Sequence, residues 1–447
     1  MTNTNPARGM RDFLPIDVRK REYVIGVIKE VYEKYGYEPL ETPSIENLDT
    51  LTNKYGEEGN QLMFKILKRG EKLQQELAEG TIRDEDQLSD LALRYDLTVP
   101  LARVVANYRN ELPKFFKRYQ IQPVWRADRP AKGRFREFCQ CDVDSIGSTS
   151  LVIEAEQISA VSEILKRLGF EDFEVRLNHR KVLAGILEIA GVHVDSHSDA
   201  LVVIDKLDKI GRGGVEKELR ERGIGPEGLA RVLALAESGT AATMDDLEDL
   251  VSASMTGAEG AKDLEEICRL ASTYRRIVLD PTLARGLSYY TGAIFEIRVS
   301  DLAGSLGGGG RYDGLIGMFG KEDIPACGFS LGLERILFVM EERGMFPADL
   351  PSAPADVMVT VWSEDTVAEA LKLAGELRAA GIRTLVYPQA DKLGKQFKYA
   401  DQIGVARVCI LGESEIEKGE VSVKDMRTGE QKTVGRGSVV RQFRIDN

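Results

Sequence analysis

Long apolar runs are missing from this chain of 447 residues. No stretch approaches the roughly 20 consecutive apolar residues that a membrane-spanning helix requires. Met1 to Pro15 carries Arg8, Arg11 and Asp12 where a secretory leader would be apolar, so a cytoplasmic location and no membrane partner are expected. Histidine is scarce, represented by His179, His193 and His197. Neither a His-Glu-x-x-His pair nor a Gly-x-Ser-x-Gly elbow occurs, which argues against zinc hydrolysis and serine acyl transfer. Cys139, Cys141, Cys268, Cys327 and Cys409 lack Cys-x-x-Cys spacing, so neither a disulfide framework nor a zinc site is indicated. Cys139 and Cys141 would share one face of a strand. Positive net charge is absent as well. At −12 the chain is unsuited to coating nucleic acid indiscriminately, because counterion release needs many cationic contacts over a broad surface.

The chain has 43% hydrophobic and 30% charged residues, close to a soluble globular average, and its length exceeds one hydrophobic core. Arg19 to Tyr35 places Val24, Ile25, Ile28, Val31 and Tyr32 at helical spacing, and Gly36 with Pro39 ends the run. Tyr119 to Trp125 and Phe138 to Asp144 alternate with period two and read as antiparallel strands. Ala127 to Phe135, with Pro130 and Gly133, forms the long basic loop between them. Residues 193 to 273 are rich in Glu, Leu, Ala and Lys, and segments 227–237 and 261–270 predict helices, hence an inserted helical domain. Strands resume at 276–279 and 293–299, a glycine-rich turn follows at 304–314, and 330–342 predicts a helix. Beyond the linker of Pro347, Pro351 and Pro354, strand and helix alternate as in a separate α/β domain.

Lys114, Lys117, Arg118, Arg126, Arg129, Lys132, Arg134 and Arg136 crowd one stretch, and their charge predicts an anionic ligand. Guanidinium forks suit bidentate binding of phosphate oxygens. Gly307 to Gly310, followed by Arg311-Tyr312-Asp313-Gly314, lets a flat ligand or another backbone approach closely, but lacks the Lys-Ser/Thr of a phosphate-cradling loop. Taken alone it reads as a tight turn. Asp280 to Gly292 crowds Arg285, Tyr289 and Tyr290 into a short segment, and Arg335 opens an otherwise apolar helix. His193 and His197 read as surface residues, and His179 has no evident partner.

In this order the segments resemble the class II aminoacyl-tRNA synthetases of the histidine-specific type, across nearly the whole chain. Arg8 to Pro15 resembles the family's amino-terminal signature, and Tyr37 to Glu46 its dimer-forming motif 1. Leu93 to Pro100 is similar to the amino-acid-binding strand, and Phe116 to Asp144 to motif 2 with its ATP loop. Leu283 to Tyr290 and Gly308 to Gly314 look like the two histidine-specific motifs, and Gly328 to Arg335 like motif 3. The resemblance implies an α+β fold: an antiparallel sheet flanked by helices, with a helical insertion and a C-terminal α/β anticodon-binding domain. The expected division is 1–192 and 274–347 for the catalytic domain, 193–273 for the insertion and 355–447 for the anticodon-binding domain. It further implies a homodimer that takes L-histidine, ATP with Mg2+, and histidine tRNA, and works through histidyl-adenylate.

Carried over residue by residue, the family pattern assigns Arg126 and Arg285 to the α-phosphate as catalytic residues, and Arg134 and Arg335 to the outer phosphates. Asp128 stands where a Glu often approaches adenine. Asp96, Thr98 and Gln140 would hold the α-amino group, with Asp144 and Tyr290 near the imidazole and Tyr289 lining the pocket. No protein ligand for the metal is indicated. Lys392, Lys395 and Lys398, at three-residue spacing on a predicted helix, are candidates for contact with the anticodon arm. Ser288 replaces a frequent Asp, and residues 65–91 form a longer insertion whose effect the sequence does not reveal. A non-catalytic synthetase-like regulatory subunit is the main rival. It is disfavoured by the presence of Arg285, Arg335 and a full carboxy-terminal domain.

Overall fold

Alternation of polar and apolar side chains builds the centre of the molecule. In the computed structural model, which describes residues 3–445 apart from 53, 79–83, 205, 226–229, 231–232, 234–241, 272–275, 285–288, 321 and 349, two units are present, Met1–Phe346 and Pro347–Asn447. With strands numbered along the chain, the first unit contains an eight-stranded sheet among its described residues. Its order is β1 (Glu38–Pro39), β5 (Phe116–Trp125), β6 (Glu137–Ile146), β11 (Ala326–Gly332), β10 (Gly307–Arg311), β9 (Ala293–Arg298), β7 (Glu174–His179) and β8 (Ile277–Leu279). The strands from β5 to β7 are antiparallel, and the two edge pairs, β1 with β5 and β7 with β8, are parallel.

One face of this sheet is apolar. Cys139, Cys141 and Val143 of β6, Phe329 and Leu331 of β11, Phe295 and Ile297 of β9, and Val175 and Leu177 of β7 are buried in one core. Val24, Ile28 and Val31 of helix Pro15–Lys34 join it, as do Ile158 and Ile164 of Val152–Arg167 and Ile336 of Leu333–Glu342. Helical spacing of those residues makes the covering stripe. The described helices between residues 193 and 273 add Val203, Leu219, Leu247 and Leu264 to the same core. The predicted helix over 227–237 falls mostly outside the described residues.

The glycine-rich segment is not a turn. Gly307–Arg311 is an interior strand, paired along its whole length with β11 and through Gly307–Gly310 with β9. Glycine is required by close approach: a Cβ on Gly309 would lie 2.0 Å from the Gly328 carbonyl oxygen. Over that bare position Phe295 and Phe329, its partners on either side, stack with ring centroids 5.9 Å apart. The following helix likewise starts late, at Leu333, because Ser330 to Gly332 complete β11.

A smaller sheet, β2 (Ile45–Asn47), β4 (Ser89–Leu93) and β3 (Lys65–Leu67), carries part of the 65–91 insertion. With helix Thr98–Asn107 it frames a second apolar cluster that contains Tyr55, Tyr95, Tyr289, Tyr290 and Tyr312. The second unit has parallel strands β13 (Thr384–Val386), β12 (Val357–Val359) and β14 (Arg407–Ile410). An antiparallel hairpin of β15 (Glu420–Asp425) and β16 (Gln431–Gly435), not foreseen from the sequence, extends it.

Arg311 leaves β10 for a buried ion pair, donating to Glu154 at 2.6 and 2.8 Å. Removing one partner of such a pair strands the other charge and costs about 3–5 kcal/mol. Arg311→Met should therefore lower the denaturant midpoint of the first unit sharply, and the double replacement Arg311→Met with Glu154→Met should recover most of the loss.

Candidate active site

The opposite face of the sheet is polar. On β6, Gln140, Asp142 and Asp144 share that face because strand side chains alternate. Gln122, Gln120 and Arg118 of β5 stand opposite them on one side, and Gly332, Ser330 and Gly328 of β11 on the other. The glycines open the trough: a Cβ on Gly328 would lie 1.9 Å from Asp144 Oδ1.

Asp142 and Asp144 are each 2% exposed. Arg118 Nη2 lies 2.8 Å from Asp144 Oδ2, and the Tyr312 hydroxyl donates to Asp144 Oδ1. Gln140 Nε2 donates to Ser330 Oγ at 2.7 Å and to Asp142 Oδ1 at 3.4 Å. Burial raises both carboxyls above the usual range. Asp142 is pushed up to about 7, with Arg118 opposing the rise and Asp144 adding to it. Two carboxyls and one guanidinium thus meet in low dielectric, and the cluster becomes anionic as Asp142 ionises.

Asp96 approaches from another element. It lies past the end of β4, not on the strand, and its Oδ1 accepts from Thr98 N at 3.1 Å and Val99 N at 3.0 Å where helix Thr98–Asn107 begins. Tyr55 donates a third bond to the same oxygen at 2.9 Å. Asp96 Oδ2 and Gln140 Oε1 are buried, and neither has a partner among the described residues. Asp96 is bonded to Thr98 and Gln140 to Ser330, both of which line the adjoining cleft, and orphaned acceptors beside a cleft call for a ligand with donors.

Of the residues singled out for the amino acid, Thr98, Asp144 and Tyr290 line one cleft together with Asp142, Tyr312 and Ser330. Tyr289 is hydrogen-bonded to Thr98, and its ring centroid is 4.9 Å from that of Tyr290 and 6.0 Å from that of Tyr312. Arg285 lies outside the described residues. Arg126, just past β5, donates from Nε to the Tyr95 carbonyl at 3.1 Å and packs its guanidinium over the Tyr95 ring at 4.3 Å. In the loop, Arg134 pairs with Asp128 at 2.9 Å, and Arg335 donates to the Ser305 carbonyl at 2.6 Å. Lys392, Lys395 and Lys398 are all exposed, at and along helix Leu393–Gln402 of the second unit.

The basic stretch divides. Arg118 is fully buried against Asp144, and Lys117 is bonded to Glu156 and to the Tyr35 carbonyl, so neither belongs to the exposed loop. The sequence reading missed Asp142, Tyr312, Ser330 and Tyr55. The period-two run Gln140-x-Asp142-x-Asp144 was a usable signal for the first; Tyr55 had none. His179 does have partners: its Nδ1 accepts from Lys181 N at 3.1 Å and its Nε2 lies 3.4 Å from Asp263. Burial pushes it down to about 3, so it is a neutral helix cap. His193 is exposed, whereas His197 is half-buried, with Nε2 3.1 Å from the Val192 carbonyl.

A polar sheet face lined with carboxylates, served by a basic hairpin and followed in sequence by a separate α/β unit, is the arrangement that the resemblance to class II aminoacyl-tRNA synthetases implies. A family model described as histidyl-tRNA synthetase matches residues 9–336, and one described as anticodon binding domain matches 356–444. The histidine–tRNA ligase of Christiangramia forsetii is 43% identical over 437 residues, and that of Porphyromonas gingivalis 44% over 435, each match covering 95% of both chains. The crystal structure of histidyl-tRNA synthetase from Nostoc sp. PCC 7120 superposes with a TM-score of 0.81 at 30% identity, covering 100% of both chains. The chain belongs to the histidyl-tRNA synthetase family.

A raised carboxyl is neutral below its pKa and anionic above it, so attraction for an ammonium group at Asp142 grows as pH rises through about 7. The KM for histidine should fall across that interval in pyrophosphate exchange. Asp142→Asn should weaken the dependence and raise the KM above pH 7 toward its low-pH value, leaving the part due to the substrate imidazole, whose reference pKa is about 6.5, and to the other raised carboxyls, Asp96 and Asp144.

Proposed function

We propose that the carboxylate-lined cleft holds histidine and that the hairpin above it holds ATP. The chain is a histidine–tRNA ligase: it joins histidine to AMP with release of pyrophosphate, then passes the histidyl group to the 3′-terminal adenosine of its tRNA. The observation that carries the site assignment is the pair of orphaned acceptors, Asp96 Oδ2 and Gln140 Oε1, which a substrate ammonium group would satisfy. Thr98 completes that set. Asp144 and Tyr290 face the imidazole, with Tyr289 behind them. A buried polar pair of this kind rejects analogues lacking the matching hydrogen bond by roughly 10⁴–10⁵.

The substrate carboxylate is ionised at neutral pH, its reference pKa being about 3.3–3.7, and it attacks the α-phosphate without a general base. The bond from that phosphorus to the bridging oxygen breaks, and pyrophosphate leaves. Arg126 and Arg285 offset charge at the α-phosphate, Arg134 and Arg335 hold the outer phosphates, and Asp128 approaches the adenine. Stacking on Tyr95 holds the Arg126 guanidinium in one orientation. Among the described residues no group of three or more His, Cys, Asp or Glu side chains could cage a metal. Magnesium characteristically keeps waters and binds through phosphates with one or two carboxylates, so in this reading it enters with ATP, and no step is assigned to it.

The remaining assignments extend the same reading. The catalytic domain comprises 1–192 and 274–347, the helical insertion 193–273 and the anticodon-binding domain 355–447. A cytoplasmic homodimer forms through Tyr37 to Glu46. That segment contributes β1 and β2, each at the edge of its sheet, and exposes Ile45; open edges and apolar side chains favour pairing. Lys392, Lys395 and Lys398 contact the anticodon arm.

Exchange of pyrophosphate into ATP, measured with each standard amino acid in turn, should occur with histidine alone and be lost in Arg285→Ala. Absence of exchange with any amino acid would favour a ligand-binding relative without catalysis. Replacing Lys392, Lys395 and Lys398 by Glu should raise the KM for tRNA at least fivefold and leave exchange unchanged. Equal tRNA kinetics would remove that contact.

A further inference from the structure

The segment bearing Arg285, Tyr289 and Tyr290 leaves the sheet from β8 and returns to it on β9, and β7 lies between those two strands. The end of β7 and the start of the next helix, Arg180–Ile189, grip both limbs. Asn178, buried, donates from Nδ2 to the Leu283 carbonyl at 3.0 Å. Arg180 reaches further: Nη1 donates to the Ala284 carbonyl at 3.4 Å, Nε to the Tyr290 carbonyl at 3.1 Å, and its backbone N–H to the Gly292 carbonyl at 2.9 Å. One guanidinium therefore bridges the outgoing and returning limbs, on either side of residues 285–288. A planar fork with several fixed donors suits such a span, and a lysine ammonium, a single point, does not.

The base of the grip is itself held. Helix Arg180–Ile189 packs closely on helix Met255–Leu270, where a Cβ on Gly185 would lie 2.5 Å from the Gly257 Cα. His179, capping the first helix, lies 3.4 Å from Asp263 on the second. The returning limb has little freedom on its other side: a Cβ on Gly310 would meet Tyr290 Cδ1 at 2.9 Å.

We propose that Arg180 is a positioning residue for amino-acid recognition, setting the separation of the two limbs and so the placement of Tyr289 and Tyr290 against the Asp96–Asp144 trough. It touches no substrate. The inference rests on the histidine-binding reading above. Loss of the bridge releases one wall of the amino-acid pocket, whereas the ATP hairpin, built on β5 and β6, keeps its own supports.

The test is pyrophosphate exchange by the full chain and by Arg180→Met and Arg180→Lys, with KM measured separately for histidine and ATP, and thermal unfolding recorded with and without histidine. Arg180→Met is expected to raise the histidine KM at least tenfold with the ATP KM within twofold, and to lose most of the histidine-induced rise in Tm. Arg180→Lys should fall between it and the parent. A histidine KM within twofold of the parent in a folded Arg180→Met would overturn the proposal, as would equal rises in both KM values. Should Arg180→Met fail to fold, Arg180→Lys decides by the same split. Parent protein without histidine-dependent exchange would defeat the functional reading first, and this one with it.

Discussion

Burying Asp142 and Asp144 two residues apart on one strand is unfavourable, and Arg118 on the neighbouring strand offsets it only in part. The fully buried guanidinium reaches Asp144 at 2.8 Å, the Tyr312 hydroxyl donates to the same carboxylate, and Asp142 has the Arg118 charge at longer range, a hydrogen bond with Ser330 and a long one from Gln140 at 3.4 Å. An uncompensated buried carboxylate raises its pKa or recruits a cation. In the absence of substrate Asp142 does the former; in the proposed complex the ammonium group held by Asp96, Gln140 and Thr98 brings a cation close to it. Binding and electrostatic relief are then one event.

That arrangement depends on small residues as much as on charged ones. Gly328 makes room for the Asp144 carboxylate, and Gly310 for the Tyr290 ring. Gly309 serves the other face, where Phe295 and Phe329 close over it. A strand of consecutive glycines would be poor on propensity alone. It persists because the paired strands supply its backbone hydrogen bonds and the flanking side chains cover it. The same glycines explain why that segment read as a turn: local propensity registers the missing side chains and not the neighbours that need their absence.

Legibility followed the range of the interactions involved. The helix expected over 19–35, which begins four residues earlier at Pro15, the hairpin of β5 and β6, and the alternation of strand and helix after Pro354 rest on periodicity and turn residues within a few positions, and each was readable. Asp96, Thr98, Gln140, Asp144, Tyr289 and Tyr290 came from resemblance to a family, and the structure brings them into one neighbourhood. Arg118 was counted in a basic stretch expected to bind an anion because its partner, Asp144, lies 26 positions away across a hairpin register that composition does not encode. Tyr55 and the grip of Arg180 on Ala284 and Tyr290 likewise depend on contacts distant in sequence. Arg285, the residue on which the resemblance placed most chemistry, falls outside the described residues.

Adenylate formation sets a charge problem that β5 and β6 are suited to meet. A zwitterionic amino acid must turn its anionic end toward a polyanionic phosphate chain, so its cationic end has to be held by something stronger than water. The carboxylates project from the middle of β6, and Arg126 follows the end of β5, four residues beyond the Gln122–Gln140 pair. At a strand rise of about 3.3 Å per residue, that offset is roughly 13 Å, a span that an amino acid, an α-phosphate and an arginine side chain fill in sequence. Negative trough and positive hairpin thus lie along one rigid ribbon. In the proposed complex a dipolar substrate laid between them would be oriented by both ends at once, its carboxylate driven toward phosphorus by position and field with no histidine, cysteine or serine nucleophile required. The scarcity of histidine in the sequence and the polarity of this ribbon fit the same chemistry.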